Sequence, residues 1–327
     1  MKVICFGVRE VEKPIFIKFN KYNYDLTLTN ESLSFENVKL VDNHDAIIVR
    51  ASDKIDKSVL DYVKNKNIKY LLTRTVGYDH IDIEYGNALG IKMARVPSYS
   101  PTAISELAVS MAISLSRRLE HFSYKTKELN LVIDSEGFSK EIKNSIVGII
   151  GTGKIGFETA KMFKGLGAKV LGYDVYENDL AKNILEYKTL DELLANSDIV
   201  SIHIPYFKGK NDNFINDEFI SKMKNNSILI NCARGQLQDE QAILKGLESN
   251  KLYGVGLDVL NNEKNYFNKK INSITDEIIS KLINLYPRVL ITPHIGSYTD
   301  EAVANMVEYS FDNLEEYIKT NECKNKI

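Results

Sequence analysis

The stretch SIVGIIGTGKIGFETAKMF, residues 145–163, decides the fold. Its apolar run from Ser145 to Gly151 has the length and composition of a buried strand, and it passes without a linker into a helix pattern that opens near Lys154. Between the two, Gly151-Thr152-Gly153-Lys154-Ile155-Gly156 spells G-x-G-x-x-G. Alone such a run is a weak signal, because glycine-rich turns are common. Here it joins strand to helix, and Asp174 closes the next apolar run, KVLGYD (169–174), 18 residues after Gly156. That full context predicts a dinucleotide-binding βαβ unit. Gly151 permits the tight turn, Gly153 lets the backbone approach a pyrophosphate, and Gly156 lets helix and strand pack closely. The helix N-terminus, with Lys154 and Ile155 in its first turn, supplies N–H donors and partial positive charge. Asp174 is placed to accept from ribose hydroxyls and to repel a 2′-phosphate, so NAD is expected rather than NADP. The competing phosphate-loop reading, G-x-x-x-x-G-K over Gly148 to Lys154, fails on its chemistry. Ile155 stands where a Mg²⁺-binding Ser or Thr is required, and Gly148 falls inside the strand.

Working outward, further apolar runs follow at DIVSIHIP (198–205), SILINCA (227–233), GVGLDV (254–259) and RVLITP (288–293), with helix patterns between them. Together with the first two they predict a six-strand doubly wound unit. Upstream, KVICFGV (2–8), DAIIVR (45–50), KYLLTRT (69–75) and IKMARVP (91–97) alternate with helix patterns near Pro14–Phe19 and Ser58–Lys64. Strands spaced by helices imply crossover connections, hence a second parallel sheet. Pro97 and Pro101 mark the boundary, and one long helix is expected from Pro101 to Leu119. Its small apolar surface suits packing on its own sheet or, alternatively, a subunit interface. A last helix pattern, Thr299 to Tyr317, lies beyond the sixth strand, where it can cross back to the N-terminal half.

The 327 residues carry 42 Lys+Arg against 44 Asp+Glu, a net charge of −2, with 44% hydrophobic residues. That composition builds a real core and excludes disorder. It gives no whole-surface field for nucleic acid or an anionic membrane, so neither is an expected partner. The opening MKVICFGVRE is too short an apolar run for a signal peptide, and no stretch reaches the ~18 apolar residues of a membrane helix. Cys5, Cys232 and Cys323 form neither a metal-ligand spacing nor a disulfide framework. No metal is expected, and a reducing cytoplasmic setting fits.

Ligands of open α/β sheets sit at the carboxyl ends of the strands. Three late strand ends carry groups suited to nicotinamide chemistry on a carbonyl: Arg234 in NCARGQL, Asp258 and Glu263 in LDVLNNE, and His294 in ITPHIGS. Singly, each has an ordinary reading as a surface charge or a packed strand-end residue.

In this order, after a dinucleotide loop, the segments resemble the D-isomer-specific 2-hydroxyacid dehydrogenase family. The likeness runs nearly end to end, through RTVGYDHID, VPSYSPTAISELA, GIIGTGKIG, NCARGQLQD, LDV and TPHIGSYTDEA. It implies that Arg234 holds the substrate carboxylate and polarises the keto group, that His294 is the acid/base, and that Glu263 pairs with it. It implies backbone donors at Val76 and Gly77, with Tyr99 lining the substrate pocket. Around the cofactor it implies Asp258 on the nicotinamide carboxamide, with His203, Pro205, Cys232, Ala233 and Gly296 nearby. The resemblance further implies a homodimer and a discontinuous α/β architecture of two doubly wound parallel-sheet domains. Residues 1–99 with 299–327 form a flavodoxin-like substrate domain, 100–298 form a Rossmann NAD domain, and the site is a cleft between them that closes by a hinge.

The physical logic agrees. A carboxylate beside an imidazole favours the charged ring, keeping a proton donor for reduction at neutral pH, and oxidation then prefers higher pH. The planar fork of Arg234 matches a carboxylate bidentately, which Lys does not. Asn262 stands where many members have glycine, and Asn tolerates left-handed geometry. The expected reaction is NADH-dependent reduction of a 2-oxo acid to its (R)-2-hydroxy acid, of the D-lactate or (R)-2-hydroxyisocaproate type. (R)-2-hydroxyglutarate is an alternative, with Arg50 meeting a distal carboxylate, and phenyllactate is another. An NAD-binding corepressor without metabolic turnover is the reading from a different class.

Overall fold

In the computed structural model, which describes residues 1–327, every strand of both sheets runs parallel to its neighbours. The chain divides into one unit of Met1–Ser100 with Tyr298–Ile327, and another of Pro101–Ser297.

The first unit holds β1 (Lys2–Cys5), β2 (Asp25–Leu28), β3 (Ala46–Val49), β4 (Tyr70–Thr73) and β5 (Lys92–Arg95), in the order β2-β1-β3-β4-β5. All of β3, and β1 beyond Lys2, is buried without alternation, as strands covered on both faces must be. β2 escapes the sequence reading because it is a short, half-exposed edge strand with polar residues on either side. The helix Asp300–Thr320 packs on this unit, where Tyr317 Oη donates to Met93 O at 2.7 Å and Asn313 Nδ2 to Arg95 O at 2.9 Å. Beyond it the tail lies antiparallel to β5: Arg95 N donates to Asn325 O, and Ile327 N to Met93 O. That pairing covers an otherwise open sheet edge.

The second unit holds β6 (Ile146–Ile150), β7 (Lys169–Tyr173), β8 (Glu186–Tyr187), β9 (Ile199–Ile202), β10 (Ser227–Asn231), β11 (Leu252–Leu257) and β12 (Val289–Ile291). Their order is β12-β11-β10-β9-β6-β7-β8, seven strands rather than the six expected. The added strand β8 has two residues, too few to make a hydrophobic period. The expected Pro101–Leu119 helix is also corrected. It ends at Ser116, Arg118 turns left-handed at φ 58°, and a second helix runs Leu119–Lys127. The first helix packs within its own unit, where Ser105 Oγ donates to Ile155 O at 2.9 Å. No helix is long and apolar enough to cross a membrane, and all three cysteines are free and buried.

Candidate active site

The glycine loop leaves β6 as a turn in which Gly151 and Gly156 have no room for a side chain. Gly151 has φ +91°, and a Cβ there would lie 2.7 Å from the His203 backbone. At Gly156 a Cβ would lie 1.8 Å from Gly151 O, so helix Lys154–Gly165 sits directly against the strand exit. A Cβ at Gly153 would meet no protein atom within 4 Å, leaving the space before this exposed turn free for a pyrophosphate. Lys154 is exposed and Ile155 half-buried in the helix's first turn. Asp174, at the end of β7, accepts from Thr152 N at 2.6 Å and Thr152 Oγ1 at 3.2 Å, which ties it to the loop. Residues and shape fit a dinucleotide.

At the end of β9, His203 N donates to Ile150 O at 2.7 Å, and its Nε2 lies 2.9 Å from Ser201 Oγ. Desolvation pushes its ring down to about 3, so it is neutral at physiological pH. Pro205 follows, exposed.

Three further strand ends build the polar centre of this unit. At the exit of β10, the buried Asn231 shapes the turn: its Oδ1 accepts from Ala233 N at 2.9 Å and its Nδ2 donates to Arg234 O at 3.1 Å. Arg234 is therefore presented on a backbone held from below, with its Nη1 donating to Ala233 O at 2.8 Å. Cys232 is buried there, and burial raises its thiol well above the ordinary range, making it a packing residue and no nucleophile.

At the exit of β11, Asn262 takes the left-handed conformation at φ 56°. The turn thus closes with Asn and starts the short helix that carries Glu263. Glu263 Oε1 lies 2.7 Å from His294 Nδ1, while its Oε2 accepts from Leu260 N at 3.3 Å. His294 itself sits at φ 55°, an uncommon conformation for His, held by its N–H to Asp258 O and Thr292 O, each at 2.9 Å.

Asp258 explains how that strained loop persists. Its Oδ1 accepts from Thr292 Oγ1 at 2.6 Å and Ile295 N at 2.7 Å, and its Oδ2 accepts from Gly296 N at 2.8 Å. Burial pushes its carboxyl upward against these donors. Asp258 therefore braces the His294 loop, a role invisible in the sequence because the partners lie 34–38 residues away. Also missed were Gln238 and Glu240, buried polar residues beneath the two loops. Nothing in the sequence sets them apart, because they lie in the polar run Gln238-Asp239-Glu240-Gln241.

In the first unit, the carbonyls of Val76 and Gly77 are turned inward, accepting from Arg95 Nη1 at 3.0 Å and Thr75 Oγ1 at 2.6 Å. Neither of their N–H groups donates to a backbone carbonyl. Tyr99 is half-buried, and its carbonyl accepts from Asn305 Nδ2 at 2.6 Å. Arg50 N donates to the buried Asp53 at 2.5 Å. Desolvation, with Arg74 and Arg9 nearby, pushes the Arg50 guanidinium down to about 10, and no carboxylate lies within ion-pair distance of it.

Comparison with known proteins places this geometry. A family profile, D-isomer specific 2-hydroxyacid dehydrogenase, NAD binding domain, matches residues 109–296. The chain is 39% identical over 329 residues to the aromatic 2-oxoacid reductase of Clostridium sporogenes (strain ATCC 15579), covering 100% of this chain and 99% of that one. The crystal structure of a D-lactate dehydrogenase from Treponema pallidum matches with a TM-score of 0.90 at 35% identity, over 100% of this chain and 99% of that one. An NAD-complexed D-isomer specific 2-hydroxyacid dehydrogenase from Lactobacillus delbrueckii ssp. bulgaricus matches at 0.85 and 31%, over 100% of both chains.

Proposed function

Because the chain belongs to the D-isomer-specific 2-hydroxyacid dehydrogenase family, an NAD-dependent oxidoreductase family, we propose that it reduces a small 2-oxo acid to the (R)-2-hydroxy acid, of the D-lactate or (R)-2-hydroxyisocaproate type. The observation that carries this reading is the 2.7 Å contact between His294 Nδ1 and Glu263 Oε1, on loops of the unit that bears the glycine turn. With Nδ1 committed to Glu263, Nε2 is the ring nitrogen left to hand a proton to the substrate oxygen. Bound NADH supplies the hydride to C2. Arg234 grips the substrate carboxylate and draws charge from the keto oxygen, and the N–H groups of Val76 and Gly77 add donors to that carboxylate. Tyr99 lines the pocket. Around the cofactor, Gly151, Gly153, Lys154, Ile155 and Gly156 serve the pyrophosphate and Asp174 the ribose. His203, Pro205, Cys232, Ala233, Asp258 and Gly296 flank the rest.

The test is an NADH-oxidation panel with pyruvate, 4-methyl-2-oxopentanoate, phenylpyruvate and 2-oxoglutarate, repeated with NADPH. Turnover of a monocarboxylic 2-oxo acid, with NADH strongly preferred, is expected. The absence of turnover with all four would overturn the enzyme reading in favour of an NAD-binding regulator. A second substrate reading rests on Arg50, whose guanidinium lacks a carboxylate partner. It fits the distal carboxylate of 2-oxoglutarate, and a 2-oxoglutarate preference lost in Arg50→Ala would establish it.

A homodimer is part of the proposal. Leu129, Leu131, Val132, Ile133 and Phe138 are each at least 67% exposed within one short segment, apolar surface of the kind an interface covers. Light scattering should give about twice the 37.1 kDa chain mass. Ile133→Asp with Phe138→Asp should return the monomer, whereas an unchanged mass would place the interface elsewhere. Three free buried thiols fit a reducing cytoplasmic setting.

A further inference from the structure

Beneath the two loops that present Arg234 and Glu263 lies a continuous chain of buried polar groups that the reaction itself does not use. Gln238 is wholly buried, and its carboxamide is fully satisfied. Its Oε1 accepts from Asn231 Nδ2 at 2.7 Å, and the same Asn231 nitrogen donates to Arg234 O at 3.1 Å. On its other side Gln238 Nε2 donates to Val259 O at 3.2 Å and to Glu240 Oε1 at 3.3 Å. Glu240, 8% exposed, accepts in turn from Asn261 N at 2.6 Å, two residues before Glu263.

One carboxamide thus touches both sides: through Asn231 it holds the Arg234 backbone, and through Val259 and Glu240 it holds the backbone that leads to Glu263. The loops are also in hard contact, since a Cβ on Gly235 would lie 2.1 Å from Leu260 O. Steric contact alone sets a minimum separation. Directional hydrogen bonds set a register, and a buried network fully satisfied in one arrangement penalises every other.

We propose that Gln238 and Glu240 are positioning residues that fix the Arg234 loop and the Glu263 loop in a single register, so that the substrate clamp and the proton donor move as one body. The consequence for the reaction rests on the roles given above to Arg234, Glu263 and His294; the coupling of the loops does not.

The experiment pairs steady-state kinetics with amide hydrogen exchange on full-length Gln238→Leu, Glu240→Ala and Glu240→Gln. Leucine fills the space of Gln238 but carries no donor or acceptor. In Gln238→Leu, peptides over 231–237 and 258–265 should lose protection together, with exchange about tenfold faster, while the glycine loop at 148–157 stays as in the parent. With phenylpyruvate and NADH, kcat should fall and KM rise, for a combined loss of about 10²-fold, the scale of an ångström of misplacement. NADH affinity, read from the nicotinamide's own fluorescence, should stay within about twofold, since the glycine loop is untouched. Glu240→Gln keeps a carbonyl oxygen for Asn261 N and should stay near the parent, whereas Glu240→Ala should follow Gln238→Leu.

Loss of protection in only one of the two loops, or a folded Gln238→Leu with parental kcat and KM, would overturn the proposal. So would Glu240→Gln as defective as Glu240→Ala, because charge rather than the bridge would then matter. If Gln238→Leu fails to fold, the Glu240 pair decides by the same readouts. The exchange result needs no turnover, so coupled loops in a parent inactive on every 2-oxo acid would support the bridge and refute the enzymatic reading.

Discussion

His294→Ala should lower kcat/KM for 2-oxo acid reduction by about 10²–10⁴-fold, the range a positioned general acid contributes, with NADH binding unchanged. The loss should fall on kcat, because in the proposed role the imidazole would act on charge that develops at the substrate oxygen only in the transition state. Removing the ring also leaves Glu263 Oε1 without its 2.7 Å partner, but Glu263 stays tied to Leu260 N, so the loop should persist. The backbone adds a second readout. His294 sits at φ 55°, and alanine there carries the same left-handed cost without a ring to offset it, so a small loss of thermal stability should accompany the kinetic one. His294→Asn separates the two effects: Asn accepts left-handed geometry and restores stability, but it has no transferable proton and stays inactive. An alanine variant with parental kcat/KM would remove His294 from the chemistry.

Arg234→Lys keeps the charge and should still lose about 10²-fold in kcat/KM, divided between a higher KM and a lower kcat. The guanidinium offers two parallel N–H donors to a carboxylate, whereas an ammonium is a point charge on a flexible stem. The backbone beneath, fastened by Asn231 at 3.1 Å, is unaffected by the exchange, so the defect reports the head group alone. Steady-state kinetics with the best acid of the panel measures it. A change confined to KM would mean that Arg234 binds substrate without orienting it, and a parallel rise in the NADH dissociation constant would assign it to the cofactor.

Much of this was legible in the chain because parallel strands covered on both faces read as unbroken apolar runs, and because candidate polar groups follow directly after them. Arg234, Asp258, Glu263 and His294 stand out for that reason. What the linear order hides is who holds whom. Asp258 meets its three donors more than thirty residues downstream, and Gln238 joins two loops that are adjacent only once β10 and β11 pair. β2 and β8 fail to show because β2 is four residues long with none buried, and a two-residue strand has no period. The break before Leu119 depends on Arg118 at φ 58°, a conformation with no residue-type signal in arginine.

The antiparallel tail on β5 ties the order of synthesis to the order of assembly. The unit Pro101–Ser297 is continuous in sequence, so everything it needs has emerged before Tyr298 is added. The other unit draws on residues from both sides of it, and the edge of β5 is covered only when Asn325 to Ile327 arrive. A nascent chain therefore carries its earliest sheet with one side unfinished while the later half folds as a unit.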